Sequence, residues 1–76
     1  MKIEIKYRDG HSEAVEADTF VEAIEAHKSH LAMANLVGTD LRGANLSRAT
    51  LTGADLAGAD LTRANTKGAV GLKSQT

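Results

Sequence analysis

The sequence predicts a mainly β chain with a small α+β cap: an N-terminal β-hairpin and one α-helix closing the end of a square coil. Three observations predict it. Leucine recurs at every fifth residue, at Leu31, Leu36, Leu41, Leu46, Leu51, Leu56 and Leu61. Alanine stands two residues before most places of that series, at Ala34, Ala44, Ala49, Ala54, Ala59, Ala64 and Ala69. Ahead of the repeat, Ile3, Ile5 and Tyr7 alternate with Lys2, Glu4, Lys6 and Arg8, the pattern of a strand with one buried face.

That first strand is followed by Asp9-Gly10, a signal for a two-residue hairpin turn. A second strand over about 12–17 returns against the first. Asp18 or Thr19 then caps a helix, and Thr19 with Glu22 fits a capping box. The helix is expected to run to about His30, with Phe20, Ala23, Ile24, His27 and Leu31 along one stripe. This ββα unit, residues 1–30, reads as a lid, because a stack of repeats otherwise exposes leucines and unpaired backbone at its end.

A period of five excludes the regular elements for the repeat itself. On an α-helix five steps rotate by about 140°, which smears the leucines around the cylinder. On a flat strand an odd period puts successive leucines on opposite faces. A chain that bends at a right angle every five residues brings them together. Each block is then one side of a square, the Leu points inward, and the Ala two places earlier fills the corner. The other three places face water, which matches their Asn, Asp, Thr, Ser, Arg, Lys and Gly. Gly at the fifth place, as at Gly38 and Gly58, suits a turn that needs permissive φ/ψ. Four blocks make one coil, so residues 31–70 hold about two coils, stacked at about 4.8 Å. Leu is missing at Thr66 and Gly71, which marks the end of the coil, and residues 71–76 are expected to fray as a tail.

These blocks resemble the pentapeptide-repeat family, whose pattern is A(D/N)LXX. The resemblance covers about residues 29–70 and implies a two-coil right-handed quadrilateral β-helix. The order of hairpin, helix and repeats also resembles small pentapeptide-repeat proteins of phages and other mobile elements.

Composition bounds the chemistry. Seventy-six residues form one domain at most, and of the 42% hydrophobic residues many are Ala, with one Phe, one Tyr and no Trp. No Cys is present, which excludes a disulfide framework and a thiolate metal site. No apolar run is long enough to span a bilayer and no signal-peptide core is visible, so a cytoplasmic place in a bacterial host cell is expected. His27 and His30 have the spacing of a helical metal pair, but nothing supplies further ligands. Ser12, Ser29, Ser47 and Ser74 fall in turns, outward places or the tail, without a positioned base. The filled interior leaves no pocket. A non-enzyme with no cofactor and no metal is expected.

Net charge is −1, distributed unevenly. Residues 1–30 carry seven acids and four bases; residues 31–76 carry three acids and five bases. Glu13, Glu16, Asp18, Glu22 and Glu25 crowd the second strand and the helix, while Asp40 and Asp60 are twenty residues apart and stack on one side, with Asp55 on the next. This set is either an ordinary solvated face or a partner-binding anionic patch. The bases Arg42, Arg48, Arg63 and Lys67 read as dispersed, with no aromatic beside them, so direct nucleic-acid binding is not expected.

The resemblance implies the first functional reading: a non-catalytic inhibitor whose acidic surface mimics DNA and blocks a host complex with a basic DNA-binding site. Long rods of the family act on DNA gyrase. This coil is only about 10 Å tall, which favours a local duplex-binding groove such as that of a CRISPR surveillance complex, and hence anti-CRISPR activity; gyrase inhibition or protection is the alternative. The second reading is a self-assembling module that pairs through its C-terminal coil, where Leu56, Leu61 and Leu72 lie. The chain is accordingly expected as a monomer or a homodimer, away from membranes.

Overall fold

The computed structural model describes residues 1–72. Strand β1 (Lys2–Lys6) pairs antiparallel with β2 (Ser12–Glu16), in a register that sets Ile3 opposite Val15 and Ile5 opposite Glu13. Alternation decides the faces: Ile5 and Tyr7 are buried, while Lys2, Glu4 and Lys6 face solvent. The hairpin departs from the two-residue turn expected at Asp9-Gly10. Tyr7 N–H donates to His11 O and Gly10 N–H to Tyr7 O, so the loop is the three residues 8–10. Gly10 takes φ +99°, the left-handed last residue of a three-residue hairpin loop. Asp9 reinforces it, its Oδ1 accepting the His11 N–H at 3.0 Å.

Helix α1 (Phe20–Ala26) is shorter than its apolar stripe predicts. Thr19 caps it, accepting the Glu22 N–H at 3.1 Å, and Glu22 reaches back to the Asp18 N–H at 3.3 Å rather than to that of Thr19. At the other end His27 N–H bonds to Ile24 O, and the chain tightens into a 3-10 turn at Lys28–His30. The tightening has a partner: Lys28 O accepts the Thr50 N–H at 2.9 Å, which ties the end of the cap to the repeats. His27 is therefore half-buried at a junction rather than on a continuing helix stripe.

From Leu31 onward the chain turns at every block. Each turn closes with a backbone bond three residues long, as in Ala44 N to Leu41 O (3.1 Å), Ala49 N to Leu46 O (3.0 Å) and Ala54 N to Leu51 O (2.9 Å). The third residue of each turn has positive φ, 68° at Gly38 and 71° at Gly43. Four isolated parallel bridges then join residues twenty apart: Asn35 with Asp55, Asp40 with Asp60, Asn45 with Asn65, and Thr50 with Val70. Around each bridge the N–H of Leu36, Leu41, Leu46 or Leu51 donates to the lower rung, and the N–H of Asp55, Asp60, Asn65 or Val70 donates to the upper one. The geometry persists past Thr66, whose carbonyl still accepts the Ala69 N–H. The expected tail, residues 71–76, lies from residue 73 onward outside the described residues.

One continuous apolar core runs through cap and repeats. Leu31, Leu36, Leu41, Leu46 and Leu51 are buried to 1% exposure or less, packed with Ile5, Tyr7, Ile24 and the corner residues Ala34, Ala44 and Ala49. The lower rung is less covered: Leu61 and Leu72 are half-buried, and Val70 is 55% exposed. The cap meets the upper rung with hydrogen bonds as well as apolar contact. Asn35 N–H donates to Lys6 O, Thr50 N–H to Lys28 O, and Asn45 N–H to the Glu25 carboxylate.

Candidate interaction surface

The outward residues of the repeat do a local job first. In six blocks the Asn or Asp before the central residue accepts, through its side chain, the N–H two residues on: Asn35 from Val37, Asp40 from Arg42, Asn45 from Ser47, Asp55 from Ala57, Asp60 from Thr62 and Asn65 from Lys67, all at 3.0–3.2 Å. A carboxylate and an amide carbonyl do this equally well, so Asp and Asn interchange along the coil. Asp40, Asp55 and Asp60 are thus first of all members of the corners.

Asp40 and Asp60 do sit together on adjacent rungs. Their charge is shared with Arg42, whose Nε and Nη2 donate to the two oxygens of Asp40 at 2.9 Å, with Asp60 Oδ2 3.9 Å from Nε. The Arg42 guanidinium holds the Asp40 carboxyl below its ordinary value, and Asp40 in turn raises Arg42. Asp60 is lowered chiefly by the Thr62 hydroxyl and N–H. Asp55 lies on the neighbouring side, bridged to Asn35.

The cap acids do not converge with these. Glu13 is held at the hairpin–helix junction, where its Oε1 meets the His27 ring Nε2 and lies 3.3 Å from the Tyr7 hydroxyl oxygen. The His27 hydrogen bond is the main cause of its lowered pKa. Tyr7 stacks on the His11 ring, centroids 4.3 Å apart, and its hydroxyl donates to His30 O at 2.9 Å. Burial, with Glu13 alongside, pushes the Tyr7 phenol up to about 12. Glu25 is occupied by the Asn45 N–H, and Glu16 by the N-terminal ammonium. Asp18 and Glu22 are exposed at the start of α1. The eight acids therefore form separate groups, and Asp18, Glu22, Glu25 and Asp55 are those without an ion pair among the described residues, Glu25 being held by the Asn45 N–H instead.

The bases are arranged differently from the dispersed pattern that their sequence positions suggest. Arg48 and Lys67 are stacked by the bond from Arg48 N–H to Lys67 O, and with Lys28 they line one open depression. Lys28 precedes Arg48 by twenty residues, the interval of the parallel bridges, so the signal was present in the spacing once the period is carried back into the cap. Among the described residues no three His, Asp or Glu side chains converge to hold a metal ion, and no helix is long and apolar enough to cross a membrane.

Residues 29–65 match the family described as Pentapeptide repeats, in 8 copies. No curated protein and no solved structure matches the chain.

Proposed function

Residues 29–65 belong to the pentapeptide-repeat family, and on that premise we propose that this chain is a non-catalytic protein-interaction module built on a closed two-coil right-handed quadrilateral β-helix. The four bridges at a spacing of twenty support the coil. The observation that carries the functional reading is the filled interior. Leu31, Leu36, Leu41, Leu46 and Leu51 occupy the axis with almost no exposure, so recognition falls to the outer surface.

The narrower form of the reading is an acidic mimic of DNA that occupies the basic site of a host DNA-binding complex, a CRISPR surveillance complex before DNA gyrase. Asp18, Glu22 and Asp55, which have no ion pair among the described residues, support it, and the stacked Asp40 and Asp60 add to it in part. Binding of the purified complexes tests it, with duplex DNA as competitor and salt varied. The expected result is binding that DNA displaces, that weakens as salt rises, and that Asp18→Lys with Glu22→Lys abolishes. Binding indifferent to DNA, salt and these reversals overturns the mimic.

A second reading, self-assembly through the lower rung, is favoured by the exposure of Val70 beside half-buried Leu61 and Leu72. It expects a mass that rises with concentration and falls back with Val70→Lys.

A further inference from the structure

We propose that the depression lined by Lys28, Ser47, Arg48, Asn65, Lys67 and Gly68 is a binding site for a compact phosphate dianion. Three cations from three successive levels meet there: Lys28 on the 3-10 turn, Arg48 on the upper rung and Lys67 on the lower. Among the described residues none of them is in an ion pair, whereas Arg42 on another side is held between Asp40 and Asp60. Glu25 overlies the same side, where its Oε2 accepts the Asn45 N–H, and it is in no ion pair with the three cations. Like charges gathered without a paired counter-charge repel one another, and a multivalent anion turns that repulsion into charge-assisted hydrogen bonds.

The backbone around the depression makes room for Arg48. Arg48 stands at a corner with φ 62°, as Met33 and Arg63 do at 66° and 63°, a place that Gly takes at Gly38, Gly43, Gly53, Gly58 and Gly68. A side chain in the left-handed region is strained. Directly below, Gly68 leaves space for the arginine stem: a Cβ there would stand 3.3 Å from Arg48 Cγ. Lys28 is fixed as well, through its carbonyl on Thr50 and its Nζ on the Ser47 hydroxyl at 3.2 Å. Guanidinium, ammonium and side-chain amide donors lining one hollow match the several oxygens of a phosphate group, while the Ser47 hydroxyl donates to Asn45 Oδ1 at 2.8 Å. The two aromatic residues, Tyr7 and Phe20, do not line the depression. A nucleic acid strand would find no base-stacking platform there.

The test is NMR of the 15N-labelled chain titrated with pyrophosphate and, separately, inorganic phosphate, at constant ionic strength set by chloride. The expected result is a saturable shift of the amides of Lys28, Ser47, Arg48, Asn65 and Lys67. Affinity should fall about tenfold or more in Lys28→Gln and in Lys67→Gln, and stay unchanged in Arg63→Gln. Folding of each variant is read from the unshifted remainder of its spectrum. Shifts that do not saturate, or that spread equally to Lys2 and Lys6, overturn the site, as does a folded Lys67→Gln variant of unaltered affinity. A single-stranded oligonucleotide forms the last arm. If it binds more tightly than pyrophosphate and shifts Arg42 and Arg63 too, the surface is a nucleic-acid track and the compact site is wrong.

Discussion

Glu25 does for Asn45 with a side chain what Ala44 does for Asn65 with its backbone. Its Oε2 accepts the Asn45 N–H at 2.7 Å, while one rung lower Ala44 O accepts the Asn65 N–H at 2.8 Å. Glu25 lies twenty residues before Asn45, the interval of the rungs, so the cap reproduces the acceptor that another coil would provide.

Removing that acceptor should destabilise the fold. An unmet N–H costs about 1–3 kcal/mol, and Glu25→Ala is expected to lower stability by that order in urea unfolding. Glu25→Gln keeps an acceptor oxygen and should lose less. Equal losses in the two variants would show that the charge, and not the hydrogen bond, is what matters.

The corners should respond to substitution with opposite signs. Arg63 has φ 63° and Gly58 φ 71°. Arg63→Gly relieves the left-handed strain and is expected to raise the unfolding free energy by up to about 1 kcal/mol, while Gly58→Ala introduces that strain and lowers it by about 1–2 kcal/mol. A Cβ at Gly58 comes no closer than 3.8 Å to Gly38, so the loss would report conformation rather than collision.

Core truncation should grade with depth in the stack. Leu46 is fully buried and Leu61 only partly. Leu46→Ala is expected to cost about 2–5 kcal/mol, enough to unfold much of so small a protein, and Leu61→Ala distinctly less. Chemical unfolding at low temperature separates the two.

Tyr7 is the sole tyrosine, so its ionisation can be followed alone by phenolate absorbance. Its pKa is raised from 10.0 to about 12 by burial first and Glu13 second. The folded state therefore favours the neutral phenol: that stabilisation is complete below pH 10 and is lost as pH rises through about 12. Titration should show a midpoint well above 10 in the folded chain, moving toward 10 in denaturant. A midpoint of 10 in both would place the ring in solvent.

Much of this was legible before the structure, for identifiable reasons. The leucine ladder carries its own geometry, because only a corner at every fifth residue puts Leu31 to Leu51 on one axis. Thr19 was readable as a cap because hydroxyl and first-turn acid lie three apart. The hairpin turn was not, since Asp9-Gly10 serves equally as the last two residues of a three-residue loop, and the pairing of Tyr7 with His11 decides between them. That pairing is set by Tyr7, which also bridges Ala34 in the repeat. The end of α1 was hidden for a similar reason, because Lys28 O is drawn to Thr50, far along the chain. The acids were legible as charges but not as ligands of their own corners, so Asp40 and Glu25 read as surface when they are first structural. Arg48 and Lys67 looked scattered, and Lys28 was counted with the cap, until the rungs superposed the three.

Amide hydrogen exchange resolved by residue tests the coil most directly. The N–H groups of Leu36, Leu41, Leu46 and Leu51 each donate to a carbonyl nineteen residues on, and they are expected to be protected together, with cross-rung contacts between Asn45 and Asn65 in the same spectra. Rapid exchange at all four leucines, or an unbroken run of helical sequential contacts through residues 31–65, would contradict it.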